Sequence, residues 1–463
     1  MTDMRVGARI HVPAGAIPRT VLPRSLGPAI FDVWRRHRDL LSNAASLIAS
    51  TGVASVLGLV YWLFATREFS QRSVGYASAS VSAMTLLGTI GMLGLGTLLI
   101  GELPRRANRA SLVAAALLTC GLASLVIGAG FAVIAPHVSV SFDVMLGTPG
   151  RAALFAAGVA VTAVTLVFDQ ATIGLMRGGL QLGRNITFAV VKVVALPATA
   201  LILHDRFGAG ITLSWVAGMA VSLLLVAARL RLADEPVLPR PDFGVLRGLG
   251  KSAMAHNWLN LAMQMPFYVL PVLVTLIVSP SANAAFYIAS MLTTFLFIVP
   301  AHLATVLFAV VAADPQVIAK KLRFALRLSF AIGLPGMAVL ILGANTVLTL
   351  FGKGYAEATI PMWLMTLGYP AAVPKGLYIA VSRAEGKISH AAVVLTACTT
   401  AEIGAAAAGG LVTGHLIGVS LALLVVRYAE ALVTTPRVLR AAFGRGRHRR
   451  GQIPLSAGHL HRK

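Results

Sequence analysis

Apolar runs of about 20 residues recur along this chain, the length an α-helix needs to cross a hydrocarbon layer of roughly 30 Å. Outer-membrane strands would instead be about 10 residues long and alternate in polarity. The fold expected is an all-α polytopic membrane protein. By the length criterion there are about twelve spans, roughly 43–64, 75–101, 110–135, 152–174, 186–204, 209–229, 252–278, 283–311, 326–350, 358–382, 389–411 and 415–433. The two longest runs, 75–101 and 283–311, are interrupted by Gly or Pro. They are expected to tilt or kink rather than split, because a split would leave no polar link. Composition agrees: 57% of the 463 residues are hydrophobic and 12% charged, with a mean hydropathy of +0.81. These values exclude an ordinary soluble domain.

Lys and Arg in the links set the orientation, since cytoplasmic links retain positive charge. With the N-terminus inside, the inner links hold basic groups such as Arg105, Arg106 and Arg109, Arg229 and Arg231, and Lys320 and Lys321. The outer links hold only Arg67, Arg72, Arg151, Arg206 and Lys353. Both termini are therefore expected in the cytoplasm. The net charge of +23 reads as this topology signal plus basic tails at an anionic inner leaflet, with no nucleic-acid partner. Residues 1–41, with four prolines and Arg35, Arg36 and Arg38, read as a basic tail before an uncleaved signal anchor. Cys120 and Cys398 lie inside apolar spans and build neither a disulfide framework nor a zinc site.

The longest inner link, 230–251, divides the spans six and six, giving an N-lobe (42–229), a linker (230–251), a C-lobe (252–435) and a basic C-terminal tail (436–463). "GYASASVS" at 75–82 and "FYIASMLT" at 286–293 form a faint echo that sets Tyr76 on Tyr287. Six helices preserve orientation, so such a repeat would be parallel, about an axis along the membrane normal.

The segment "FATREFSQRSVGYASASVSAMTLLGTIGMLGLG", with an Arg ending one span and Gly-Tyr opening a Gly-rich next one, resembles the start of polysaccharide and O-antigen flippases of the MOP exporter superfamily. Residues 279–312 and 350–387 resemble the corresponding segments of the second half. The resemblance covers about residues 40–435. It implies two six-helix bundles around a V-shaped cavity that opens alternately to each side of a bacterial cytoplasmic (inner) membrane and flips a lipid-linked oligosaccharide. It also implies possible work beside other polysaccharide assembly proteins, without a cofactor.

Polar groups within the spans each need a partner or water at that depth. His256, Asn257, Asn260 and Gln264 crowd the seventh span, with 256, 260 and 264 on one helix face. They read either as interhelical hydrogen bonds or as the wall of a hydrated cavity whose amides suit sugar hydroxyls. Asp169 and Lys192 stand at similar depths of consecutive spans and are expected to form an ion pair, or else Lys192 is an anion ligand held by Asp169. Lys375 follows Pro370 and Pro374, where freed carbonyls suggest a kinked, cavity-lining helix and a cation able to bind diphosphate. Glu402, with no evident partner, is a candidate proton or sodium coupling site, as Asp169 is in a lesser role, or a protonated structural Glu. Arg427 and Glu430, one turn apart, are expected to pair or snorkel. Arg67 is an interfacial anchor or a ligand for a departing diphosphate at the exit rim, and it could pair with Glu68 or the opposite lobe.

Two other functions compete. A multidrug and toxin extrusion (MATE) antiporter of the same superfamily would need an acidic cluster for organic cations. A membrane glycosyltransferase or polymerase would need a substantial exterior catalytic loop, whereas the longest exterior link is 136–151, and no metal motif, nucleotide loop or nucleophile–base constellation is present. A transporter rather than an enzyme is the expectation.

Overall fold

The computed structural model describes residues 55–106, 108–203, 207–233, 240–313 and 318–444; at 245–257, 259–260, 305–306, 308–313, 384 and 388 it describes the backbone only. Fifteen α-helices and no strand occur among the described residues. They are α1 (55–68), α2 (Gln71–Gly91), α3 (Leu95–Glu102), α4 (Arg109–Ile134), α5 (Val140–Leu146), α6 (Pro149–Gly174), α7 (Gly178–Leu203), α8 (Ala209–Leu232), α9 (Phe243–Ile277), α10 (Pro280–Ala313), α11 (Ile318–Phe351), α12 (Thr359–Leu367), α13 (Tyr369–Ala384), α14 (Ile388–Thr413) and α15 (Leu416–Phe443). Eight are long and apolar enough to cross a membrane, or nine if the bent pair α2–α3 is one span, and the chain is a multi-pass membrane protein. A shorter apolar helix occupies Leu261–Ile277 within α9.

Breaks occur where local chemistry permits them. The apolar run at 75–101 bends by 54° between α2 and α3. Gly94 there adopts φ 76°, a left-handed conformation open to glycine, and Leu93 beside it has φ 51°. The run at 283–311 continues through Pro300 as part of one helix, α10. At 358–382 the chain forms two helices, α12 and α13, meeting at Gly368 with Pro370 in the first turn of the second.

Helix extends further than apolarity alone indicates at three places. The inter-lobe connection expected at 230–251 carries α8 as far as Leu232 and α9 from Phe243, where the Asp242 side chain accepts from the Gly244 N–H at 3.1 Å. The stretch expected to begin a C-terminal tail at 436 remains helical to Phe443, because Val438 and Ala442 pack into the C-lobe core and Pro436 is tolerated within α15. Similarly, α7 begins at Gly178 rather than near 186, its first two turns being polar.

The halves repeat in helix order, and some counterparts also match in length. α7 and α14 are both 26 residues and begin 210 positions apart, at 178 and 388. α6 (149–174) and the α12–α13 pair (359–384) are separated by the same interval at both ends. The equivalent helices α2 and α10 pack against each other across the two halves. A Cβ on Gly75 would lie 1.7 Å from the Pro280 carbonyl oxygen, so only glycine permits this approach. Asn283 Nδ2 then donates to Gly75 O at 2.9 Å and Ser78 Oγ at 3.0 Å.

One apolar core joins the halves at the end carrying the 69–70, 278–279 and 352–358 connections, with Trp62, Phe69 and Ile211 meeting Phe286, Phe351 and Leu416. Toward the other end the cores belong to single halves: Met92, Leu103 and Leu112 in the first, Leu303, Leu322 and Val438 in the second. There α9 leans on α3 and α4. The halves thus share an apolar core at one end and meet at the other where α9 packs on α3 and α4, with a cavity between them.

Candidate functional site

The cavity between the halves measures about 520 Å³, within the usual range of roughly 300–1,000 Å³ for small-ligand sites. The first half contributes Ser82, Thr85 and Trp215, and the second contributes Tyr268, Tyr287, Ser290, Thr294, Lys375, Glu402 and Arg427 among others. Proline shapes its wall: Pro266 and Pro271 lie within α9 and line the cavity, and Pro374 within α13 has no N–H for the carbonyl four residues earlier.

Lys375 follows that proline and faces the cavity as expected, but it is not a free cation. Its Nζ lies 2.8 Å from Glu402 Oε1 on α14 and 2.8 Å from Glu430 Oε2 on α15. Both glutamates are buried, at 4% and 6% exposure. This corrects two expectations: Glu402 has a partner, and Glu430 bonds Lys375 rather than the neighbouring Arg427. Three helices converge here, and an ammonium reaches both carboxylates where a pair one turn apart on α15 would leave each charge to solvent. Glu430 Oε1 is buried without a hydrogen-bond partner. Arg427 lines the same cavity and makes no ion pair among the described residues.

Lys192 has a different environment. It is 4% exposed, and its Nζ stands 4.2 Å from the ring centre of Trp215, 4.4 Å from Phe188 and 4.6 Å from Tyr61. Aromatic faces carry negative quadrupole density, and such contacts are worth up to about 2 kcal/mol when desolvated. Gly218 lets α8 come close: a Cβ there would lie 3.0 Å from Lys192 Cβ. The Tyr61 hydroxyl is fixed by Ser214 Oγ at 2.8 Å and Ile211 O at 3.1 Å. Lys192 sits behind Trp215, which itself lines the cavity.

The expected Asp169–Lys192 pair does not form. Arg184 donates from Nε to Asp169 Oδ1 at 2.9 Å and from Nη2 to Oδ2 at 2.7 Å, a bidentate pair. Because α7 starts at Gly178, Arg184 stands opposite Asp169 across the α6–α7 turn, while Lys192 lies two turns deeper. Asp169 is thus neither a holder of Lys192 nor part of the cavity lining.

Gln264 is exposed and accepts from the Tyr268 hydroxyl at 2.9 Å, so it touches the cavity only through Tyr268. His256, Asn257 and Asn260 fall in α9 where side chains lie outside the description. Nearby, Trp258 Nε1 donates to Thr396 Oγ1 at 3.0 Å and Thr399 Oγ1 to Ala262 O at 2.6 Å, tying α9 to α14 as polar side chains do within membranes.

Arg67 is at the end sealed by the shared core. Its Nη2 donates to Leu350 O at 2.8 Å, across to the other half and away from Glu68. Gln71 Nε2 donates to Ser281 O at 3.0 Å and Glu357 Oε1 at 2.9 Å. Partial burial pushes the Glu357 carboxyl up against the opposing hydrogen bond from Gln71. Sequence reasoning missed Trp215, whose signal was a Trp deep in an apolar span rather than at its interface, and assigned Glu430 to the wrong partner.

Comparison with solved structures identifies this arrangement of helices. The inward-facing conformation of a multidrug resistance MATE family transporter of the MOP superfamily superposes with a TM-score of 0.67 at 16% identity, covering 86% of this chain and 98% of that one. The fold is that of MATE transporters. An outward-facing conformation of a multidrug resistance MATE family transporter gives 0.55 at 14% identity, with 87% and 96% covered. A MOP superfamily transporter from Pyrococcus furiosus, described as having a binding pocket of reverse polarity that suggests a different function, gives 0.57 at 14% identity, with the same coverage. No family model and no curated protein matches the sequence.

Proposed function

We propose that this chain is a flippase that carries a polyprenyl-diphosphate-linked oligosaccharide from the cytoplasmic to the outer leaflet of a bacterial inner membrane, by alternating access, for polysaccharide assembly. The observation that carries this reading is the charge of the cavity region. Lys375 and Arg427 line it, Lys192 stands behind its Trp215 wall, and the carboxylates that could draw an organic cation are held by Lys375. A diphosphate must leave water to cross, at a cost that basic groups and hydroxyls in the cavity offset while the polyprenyl tail remains in lipid. Ser82, Thr85, Ser290 and Thr294 supply hydroxyls, and Trp215, Tyr268 and Tyr287 supply aromatic faces. Basic links at the opposite end favour an orientation with the sealed end outside, which would have the cavity face the cytoplasm. The higher TM-score to an inward-facing MATE structure supports that state.

On this reading Lys192, Lys375 and the α9 polar face, His256, Asn257, Asn260 and Gln264, handle the head group, and Arg67 meets it on exit. Glu402 belongs to ion coupling, by H+ or Na+. Purified protein in proteoliposomes, supplied with a fluorescent polyprenyl-diphosphate glycan, should translocate it, and Lys192→Ala should slow translocation at least about tenfold. Translocation no faster than in empty liposomes overturns the reading. The second reading, a MATE-type cation antiporter, draws on the two buried glutamates and the fold. Cation efflux without glycan-lipid movement would establish it.

A further inference from the structure

The Lys375–Glu402–Glu430 cluster contains one carboxylate more than its single ammonium balances. We propose that Glu430 is a built-in counter-anion to Lys375, and that a proton and the diphosphate of the cargo bind this cluster together, the proton on Glu430 freeing Lys375 for the phosphate. The proposal rests on the lipid-diphosphate reading above and names the ion of that site as a proton.

The geometry sets the argument. Lys375 Nζ spends two donors on carboxylate oxygens at 2.8 Å. With both glutamates ionised, Lys375 and Arg427 together match them in charge, and an entering anion meets no net attraction. It would also have to displace a carboxylate already at hydrogen-bond distance. A buried carboxylate oxygen with no donor is costly, and Glu430 Oε1 is such an atom on a side chain 6% exposed. A proton taken from solvent onto Glu430 turns that oxygen into a donor and cancels one negative charge. Lys375 keeps all its own protons and stays bonded to Glu402, but one of its donors is released toward the cavity.

Among the described residues the cavity offers one other acid, Glu402, and it is Glu430 rather than Glu402 that carries an unpartnered buried oxygen. α13 brings Lys375, α14 brings Cys398 and Glu402, and α15 brings Arg427 and Glu430, while α9 and α10 turn Tyr268 and Tyr287 toward the same cavity. A sodium ion would have to share two carboxylates with an ammonium already between them, which like-charge repulsion opposes. Because proton and anion favour each other, linkage requires that each raise the affinity for the other by the same factor.

The test uses the full-length protein in detergent, farnesyl diphosphate as probe, and Trp fluorescence as readout. Wild type should bind the probe at least about tenfold more tightly at pH 6 than at pH 8, with uptake of about one proton per probe in weak buffer. Glu430→Gln should bind tightly at both pH values and take up none, and Lys375→Met should bind weakly at both. If Glu430→Gln does not fold, Glu402→Gln serves, since it also relieves the charge on Lys375 and should lessen the pH dependence. Equal affinity at pH 6 and pH 8 in the wild type, with no proton uptake, overturns the proton linkage and leaves the flippase reading intact. No binding at either pH overturns this proposal, and glycan-lipid translocation in proteoliposomes then tells separately whether the flippase reading falls with it.

Discussion

Lys192 and Lys375 both lie in the interior of a membrane protein, the first buried and the second partly open to the cavity, yet one stands among rings and the other among carboxylates. They stand on helices that are not counterparts, since α13 answers to α6 and α7 to α14. The interval that carries α7 onto α14 carries Lys192 onto Glu402, so the repeat places a cation in one half where it places an anion in the other. The aromatic surroundings of Lys192 moderate its charge without cancelling it. The carboxylates around Lys375 cancel its charge and make its availability conditional. Identical side chains thus differ in what they can offer a ligand.

Breaking the second environment should have the largest effect. Lys375→Met strands two carboxylates among apolar helices and should destabilise the protein by about 3–5 kcal/mol, seen as a lower thermal midpoint in detergent. Adding Glu402→Gln and Glu430→Gln should restore most of it, and failure to do so would mean that Lys375 supports the fold by packing alone. Asp169→Asn should come next, about 3 kcal/mol, because it leaves Arg184 buried with Nη1 already unpartnered. Lys192→Met should change stability by no more than about 1 kcal/mol, since an apolar chain fits among the rings and strands no partner. A large loss there would erase the contrast between the two lysines.

The smallest effect is expected at the basic end of the C-lobe. Partial burial pushes the Glu385 carboxyl up, but hydrogen bonds from Arg437 and Lys387 outweigh it and hold it below its usual 4.5. A carboxyl lowered in the folded state adds stability that is complete above the unfolded value and is lost as pH falls through the folded one. Wild type should therefore lose a little thermal stability on acidification below about pH 4.5 that Glu385→Gln does not, measured as the difference between their melting curves.

Much of the fold follows from chain chemistry that a reader can see. Apolar runs become the long helices, and glycine or proline marks the bends at 92–94 and 368–370. Helix ends were less legible where helices are polar. The first two turns of α7 include Gln181, Arg184 and Asn185, and taking them for a link displaced Lys192 toward Asp169. In the site, proline signalled correctly that Lys375 faces a cavity. Its partners were hidden because they lie 27 and 55 residues away on separate helices, and only tertiary packing brings α13, α14 and α15 to one point. Glu430 was visible three residues after Arg427, but local spacing favours a neighbour over a distant ammonium.

The seal at the far end of the molecule is fastened largely by side chains donating to main-chain carbonyls: Arg67 to Leu350, Gln71 to Ser281, Asn283 to Gly75. The Arg67 bond, at the exposed rim, exchanges for a bond to water at little net gain, whereas the Asn283 bond is buried. These bonds fix the register of the two lobes while the apolar contact among Trp62, Phe69, Phe286 and Phe351 supplies the closing force. That force strengthens as water warms. The lobes' preference for being shut at this end should thus rise with temperature over the ordinary growth range, making the protein's resting state a weak thermometer.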